Sequence, residues 1–281
     1  MKKTVLFAIG LLALASCDKL ALLPYLPRPA TLRASVEGET KTSYTEDEVS
    51  GKAIFGWQAG DKINVLYSNG SGGGYHQCTF STSAGDGTFT GTVTGTEGGR
   101  YAYLAVYPYD ILTTVIKNSS NQRENISVTL PASITGSGAA SIPMVAHAPL
   151  ASFSGTYEFK HLGSVLRFKI TGIPAAARKL RITSAQHKLC GQFNVSYNGE
   201  YYIQGGSDGE QKTLTFSFVP GADGVYTFYL PFGVGVKPTG DFTFTLLSES
   251  DGELRTRTTT LGGLADVTPV RGGMYRGKLD F

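Results

Sequence analysis

A serine in a glycine-rich stretch is the first candidate for chemistry. The segment GGSDG, Gly205 to Gly209, matches the Gly-x-Ser-x-Gly pattern, in which a strand-to-helix turn exposes a nucleophilic serine. Strand-like residues lie on both sides of this segment, and no helical pattern follows it. An Asp-Gly hairpin turn accounts for the same residues. We therefore interpret Ser207 as a loop residue and not as a nucleophile.

Metal ligands are the second candidate. Glu158 and His161 have Glu-x-x-His spacing, which brings two ligands together on a helix but sends them to opposite faces of a strand. The Asp-Gly loops lack the alternating acidic residues of a calcium loop. A pair of carboxylates at the separation that glycosidases need is set by the fold, so that class stays open here. We predict no catalytic residue, no metal site and no cofactor.

Cysteine 17 follows a segment with the features of a secretory signal. Lys2 and Lys3 give a positive start, residues 5–15 form a short apolar run, and small residues precede the cysteine. The sequence LASC, ending at Cys17, resembles the bacterial lipobox. That resemblance implies removal of residues 1–16 and a thioether-linked lipid on Cys17. We therefore expect a lipid-anchored protein outside the cytoplasm, at the outer membrane or cell surface.

The charge balance of the chain argues against a nucleic-acid-binding protein. Loss of residues 1–16 lowers the basic count from 25 to 23, against 22 acidic residues. No basic stripe remains that would indicate a nucleic-acid partner. Cys78 and Cys190 lie far apart in the sequence, and we interpret both as buried free thiols, with one bridge between them as the alternative.

Alternating apolar and polar residues recur along the chain and predict strands. Examples are Ile63-x-Val65-x-Tyr67 and Phe242-x-Phe244-x-Leu246. Asp-Gly and Asn-Gly pairs lie between such runs and suit tight hairpin turns. The pattern predicts an all-β protein whose antiparallel sheets have one buried and one solvated face.

Two domains of similar length are predicted. Residues 31–153 and 157–281 each hold about seven candidate strands, the number typical of a β-sandwich. A turn-rich stretch that ends near residue 153 marks the boundary between them. Residues 17–30 contain three prolines beyond the cysteine and are interpreted as a lipidated tether.

Several segments resemble, in order, the landmarks of the fimbrillin family, the subunits of type V pili. They are GWQAGDKINVLY (56–67), FTGTV (89–93), AVYPY (105–109), SIPMVAH (141–147), FKHLGSVLRFKI (159–170), LCGQFNV (189–195) and the C-terminal TPVRGGMYRGKLDF. Within the first, Trp57 and Ile63 are expected to be core anchors on either side of a turn at Gly60-Asp61. Phe159, Leu162, Leu166 and Phe168 are expected to form part of a second core.

The resemblance implies two tandem transthyretin-like β-sandwiches and a structural role without catalysis. It also implies that a trypsin-like protease removes an N-terminal segment, and that a strand from a neighbouring subunit fills the groove left behind. Arg28 precedes Pro29, which impedes such cleavage, so Arg33 is the predicted cleavage site. Leu32, Ala34 and Val36 alternate around Arg33 as in a native strand; if that strand is permanent, the protein is an anchor, a cap or an adhesin.

A carbohydrate-binding surface lipoprotein is the alternative function. The segment AYLAVYPY contains four tyrosines that could form an aromatic platform for sugars: Tyr101, Tyr103, Tyr107 and Tyr109. Packing between strands accounts for the same tyrosines. The expected partners are other pilus subunits and the outer membrane. The carbohydrate-binding alternative adds host or bacterial surface ligands.

Replacement of the predicted lipid acceptor tests the anchor. Cys17→Ala should move the protein from the membrane fraction to the soluble fraction, because no thiol remains at position 17 to accept the lipid. The matched change Cys78→Ala should leave the protein with the membranes. Fractionation followed by immunoblotting measures both. Retention of the Cys17→Ala protein in membranes contradicts the lipobox interpretation.

Overall fold

The computed structural model describes residues 27–37, 45–46, 53–54, 56–69, 75–94, 100–118, 123–151, 155–205 and 211–281. These residues form strands and two short 3-10 helices, at Ala139–Ser141 and Gly262–Asp266, and no α-helix, so the predicted all-β class is confirmed. Within the described ranges, no helix has the length and apolar character needed to cross a membrane.

In chain order the strands are β1 (Arg28–Val36), β2 (Thr45–Glu46), β3 (Ala53–Ile54), β4 (Lys62–Asn69), β5 (Tyr75–Ser81), β6 (Thr88–Val93), β7 (Arg100–Tyr107), β8 (Leu112–Asn118), β9 (Arg123–Leu130), β10 (Ser133–Thr135), β11 (Met144–Ala151), β12 (Thr156–His161), β13 (Ser164–Thr171), β14 (Lys179–Ser184), β15 (Gly191–Tyr197), β16 (Tyr201–Ile203), β17 (Thr213–Ser217), β18 (Tyr226–Phe232), β19 (Phe242–Leu247), β20 (Glu253–Thr259) and β21 (Met274–Asp280).

Seven strands close into a barrel in the order β1-β12-β11-β7-β4-β5-β6, and β6 returns to pair with β1. Alternate residues of these strands face the barrel interior, as the period of two requires. Aromatic side chains of that interior include Trp57, Phe80, Phe89, Tyr157 and Phe159.

A four-stranded sheet in the order β16-β15-β9-β8 packs against one side of the barrel. Outward residues of β4 and β7, such as Leu66 and Val106, form a second core with Ile126, Val128 and Phe193 of that sheet. Strands β4 and β7 are therefore buried on both faces, which explains their long apolar runs.

The C-terminal part is a sandwich of two sheets. A five-stranded sheet in the order β10-β17-β14-β19-β20 faces a three-stranded sheet in the order β18-β13-β21. Phenylalanines from both sheets fill the space between them, and the predicted alternation of Phe242, Phe244 and Leu246 is confirmed because all three are buried there.

The predicted division at residues 154–156 stays a prediction, and strand pairing crosses it. Strand β12 belongs to the barrel, β15 pairs with β9, and β10 pairs with β17. The predicted second core is split in the same way: Leu166 and Phe168 lie in the C-terminal sandwich, Phe159 in the barrel and Leu162 between the barrel and the four-stranded sheet. The turn-rich stretch before the boundary contains barrel strand β11.

Among the described residues, three strand pairs are parallel, although the sequence predicted antiparallel sheets: β1 with β12, β10 with β17, and β13 with β21. The alternation within a strand reports which residues face the core but not the direction of the neighbouring strand. Each of these pairs joins strands distant in the chain, so no hairpin turn forces them to run antiparallel.

Trp57 connects the start of β4 to β1. Its indole Nε1 donates a hydrogen bond to the carbonyl oxygen of Ala34 at 3.1 Å, and its ring lies edge-on to Phe89, Tyr107 and Phe159 at centroid distances of 4.9, 5.3 and 5.1 Å. The predicted core anchors are confirmed, since Trp57 is 4% exposed and Ile63 is 0% exposed. The turn between them places Gly60 at φ 92°.

Replacement of this tryptophan measures how strongly it stabilises the barrel. Trp57→Ala should lower the free energy of unfolding by about 3–5 kcal/mol, because it opens a cavity among three aromatic rings. Trp57→Phe keeps a ring but leaves the Ala34 carbonyl without this donor, and should cost about 1–3 kcal/mol. Urea denaturation followed by circular dichroism measures both. Equal losses for the two variants would mean that the hydrogen bond, not the ring, carries the stabilisation.

Candidate functional site

Strand β1 occupies the position between β6 and β12 that closes the barrel. Residues Arg28 to Arg33 pair antiparallel with β6, and residues Arg33 to Val36 pair parallel with β12. Arg33 therefore lies where the two pairings overlap. The first part of β1 pairs with β6, and the second part pairs with β12.

The side chains of β1 alternate between the barrel core and solvent. Leu32, Ala34 and Val36 are 1%, 8% and 8% exposed and belong to the barrel core. Thr31, Arg33 and Ser35 are exposed. Burial of the Leu32 side chain alone contributes about 1.5–3 kcal/mol to holding the strand in place. The candidate site is thus an apolar slot between β6 and β12, which we call the β1 slot.

Four charged residues form a cluster at the end of the slot. Glu37 follows β1 directly, Lys160 lies on β12, Glu200 lies in the turn between β15 and β16, and Arg271 precedes β21. We call Glu37, Lys160, Glu200 and Arg271 the ionic clasp. It joins the barrel, the four-stranded sheet and the loop that precedes β21.

The clasp geometry is that of a network. The Arg271 guanidinium donates to both Glu37 carboxylate oxygens, at 2.8 and 3.3 Å, and also pairs with Glu200. The Lys160 ammonium lies 2.6 Å from Glu200 Oε1 and 3.6 Å from Glu37 Oε1. Hydrogen bonding from Arg271 lowers the pKa of the Glu37 carboxyl, and hydrogen bonding to Glu200 raises the pKa of Lys160. Both shifts favour the charged forms.

His161 lies beside the clasp on β12. Burial lowers the pKa of its imidazole to about 4, and the nearby Arg271 charge acts in the same direction. Glu158 on the same strand is exposed, so the two residues lie on opposite faces, as the strand geometry predicts. In the described part of the chain, no three His, Cys, Asp or Glu side chains are grouped so that they could hold a metal ion.

The other predicted residues are placed as follows. Cys78 is half-buried and Cys190 is buried, and both are free thiols; burial raises the pKa of Cys78 to about 12. Tyr107 is 3% exposed and Tyr109 is 40% exposed, so these two tyrosines do not share a platform. The side chains of Tyr101 and Tyr103, and all of Cys17 and Ser207, lie outside the described residues.

Sequence reasoning identified the apolar alternation of β1 but not the clasp. Its members are separated by up to 234 residues, the distance along the chain from Glu37 to Arg271. No spacing rule connects charged residues so far apart, and each one alone is an ordinary surface charge. Only the pairing of β1 with β12 and the path of the chain before β21 bring them together.

Neither a scan of protein-family models nor a search of curated protein sequences finds a match. Among solved structures, the chain is similar to a candidate cell adhesion protein from Bacteroides ovatus, with 15% identity, 92% of each chain covered and a TM-score of 0.48. A candidate cell adhesion protein from Bacteroides uniformis has 17% identity over 90% of this chain and 92% of that one, with a TM-score of 0.43. The tip fimbrial protein Mfa3 from Porphyromonas gingivalis, truncated at its C-terminus, has 13% identity over 90% and 94%, with a TM-score of 0.36. Similarity at this level does not define a function.

The lowered pKa of His161 predicts a pH dependence of stability. Because the pKa of His161 in the folded protein, about 4, lies below its ordinary value of 6.5, the unfolded chain binds this proton more readily. The free energy of unfolding should therefore fall by about 2 kcal/mol between pH 7 and pH 5. His161→Gln cannot titrate, so its stability should change less over this range. An unchanged pH slope in that variant, measured by urea denaturation, would exclude His161 as the cause.

Proposed function

We propose that the chain is a non-catalytic cell-surface lipoprotein that acts as a pilus subunit or adhesin and assembles by strand exchange. The observation that supports this best is the β1 slot. The strand nearest the predicted lipid tether closes the barrel with alternating apolar side chains, and it pairs with a different neighbour on each side. The resemblance of the sequence to fimbrillins and the lipobox before Cys17 agree with the same role.

Loss of β1 would leave a site with a strong preference for another strand. Backbone donors and acceptors of β6 and β12 would lose their partners, at a cost of about 1–3 kcal/mol for each buried group. The apolar surface that Leu32, Ala34 and Val36 cover would be exposed as well. A strand from another molecule restores both interactions, which is the physical basis of strand addition.

Cleavage after Arg33 would open only part of the slot. The released segment ends at Arg33 and contains Leu32 and every residue of β1 that pairs with β6. Ala34 to Val36 would stay attached to the chain and paired with β12. The edge made available is therefore that of β6, and the Ala34 carbonyl that accepts from Trp57 stays in the molecule.

The position of Arg33 also determines when a protease could act. Its side chain is exposed, but its backbone lies within a strand that is paired on both sides. A protease must bind the chain in an extended form free of such pairing, so the first part of β1 has to leave β6 before cleavage. Cleavage is then controlled by local opening of the strand, not by exposure of the arginine.

The C-terminal strand is the proposed donor. Strand β21 lies at the edge of its sheet and pairs with β13. Leu279 of this strand is buried in the sandwich core, and Tyr275 packs against that core. The residues Met274 to Phe281 thus carry an alternating pattern that could present apolar side chains to the β1 slot of a second molecule.

Limited proteolysis tests this assembly. Trypsin treatment of the mature protein should release the segment that ends at Arg33 and yield ladders that resist mild detergent. Arg33→Ala protein should stay monomeric under the same treatment. Arg28→Ala is the matched control, and it should form ladders like the unchanged protein because the bond before Pro29 resists trypsin. Mass spectrometry of the released peptide and electrophoresis without boiling give both readouts.

Two outcomes would overturn the assembly route. Ladders that form equally well from the Arg33→Ala protein would exclude cleavage at Arg33 as the trigger. If cleavage at Arg33 is complete and no ladders form, the protein does not polymerise by this strand exchange. An anchor, a cap or an adhesin with a permanent β1 would then account for the surface role.

A further inference from the structure

A cleft of about 660 Å³ opens where the barrel, the four-stranded sheet and the C-terminal sandwich meet. Its volume falls within the range of sites that bind small molecules. The turn between β7 and β8 forms one wall, the end of β9 a second, and β10 with the following 3-10 helix a third. The lining residues that carry polar or aromatic groups include Asp61, Lys62, Tyr109, Asp110, Thr129 and Ser133.

Tyr109 presents an aromatic ring in this cleft. It is 40% exposed, unlike Tyr107 two residues earlier, which is buried in the barrel core. The ammonium of Lys62 lies 5.4 Å from the Tyr109 ring centroid, a cation–π contact that helps hold the ring in place. The contact also places the N–H donors of Lys62 over one face of the ring. An exposed ring next to such donors can bind a ligand with one apolar face and polar edges.

Asp61 supplies a fixed carboxylate in the same cleft. One of its oxygens accepts a hydrogen bond from the Gln58 backbone N–H at 2.7 Å, and the other accepts from the Tyr107 hydroxyl at 3.2 Å. A carboxylate has about four lone-pair sites, so these two bonds orient the group and leave capacity for hydroxyl donors of a ligand. Asp110 adds an exposed carboxyl group next to Tyr109.

The charges in the cleft indicate the class of ligand. Two carboxyl groups, Asp61 and Asp110, and one ammonium, Lys62, line it. An anionic ligand would meet more like charge than opposite charge, whereas an uncharged polyol can donate hydroxyl groups to the carboxylates. Hydroxyl groups of Thr129, Ser133 and Ser141 extend the polar lining without adding charge.

We infer that this cleft binds one sugar residue of an uncharged glycan. The face of the sugar ring that carries C–H groups lies against the Tyr109 ring. Hydroxyl groups of the sugar donate to Asp61 and Asp110, and a further sugar hydroxyl accepts a hydrogen bond from Lys62. The inference rests on the adhesin part of the proposed function and deepens it by naming the class of ligand. The site uses neither β1 nor β21, so failure of strand exchange would not affect it.

Glycan binding by the intact mature protein tests the inference. The probes are arrayed neutral oligosaccharides of glucose, galactose, mannose and N-acetylglucosamine, each matched with a uronate or sulfated counterpart. At least one neutral probe should bind and its charged counterpart should bind more weakly. Titration calorimetry with that probe should show an affinity reduced at least about tenfold by Tyr109→Ala, since one stacking surface is lost. Tyr109→Phe keeps the ring and should retain most of the affinity.

Two further variants distinguish a loss of binding at the cleft from a loss of stability and from the loss of a tyrosine elsewhere. Asp110→Asn removes an exposed charge and should weaken binding of the neutral probe several-fold, with an unchanged melting temperature. Tyr202→Ala makes the same change as Tyr109→Ala on β16, outside the residues that line the cleft, and should leave affinity unchanged. The inference is wrong if no neutral probe binds, if the charged probes bind better, or if Tyr109→Ala binds as well as the unchanged protein.

Discussion

The double pairing of β1 is the interaction on which the rest of the structure depends. The barrel is closed because this one strand forms antiparallel bonds to β6 and parallel bonds to β12. Its apolar residues complete the barrel core, and Trp57 binds its backbone at Ala34. A strand held in this way satisfies the hydrogen bonds of two neighbours at once, so its removal affects both. The proposed strand exchange would act on this same double pairing.

The ionic clasp connects the end of β1 to the approach of the C-terminal strand. Glu37 and Arg271 form its centre, and Lys160 and Glu200 complete the network. All four are partly exposed, so each pair contributes modestly to the free energy of folding. The cluster bridges the barrel, the four-stranded sheet and the loop before β21. The segments that adjoin β1 and β21 are thereby linked by one set of charges.

The β1 slot and the cleft at Tyr109 suit different tasks. The slot is long, apolar and lined by backbone groups, which are the features that recognise an extended strand. The cleft has apolar and polar lining residues, with one exposed ring and the oriented carboxylate of Asp61. The Tyr107 side chain connects the barrel core to the cleft, because it is part of that core and its hydroxyl donates to Asp61.

The sequence by itself determined the all-β class, the buried faces of single strands such as Ile63 to Tyr67 and Leu32 to Val36, and the anchoring position of Trp57. These features follow from side-chain alternation and turn chemistry, which are local and therefore visible in one chain. Only the tertiary structure decided that β1 closes a barrel, that β12 belongs to that barrel, and that three strand pairs are parallel. It also decided the ionic clasp and the exposure of Tyr109. All of these depend on pairing between segments far apart in the chain, and the residues in each segment are compatible with more than one partner.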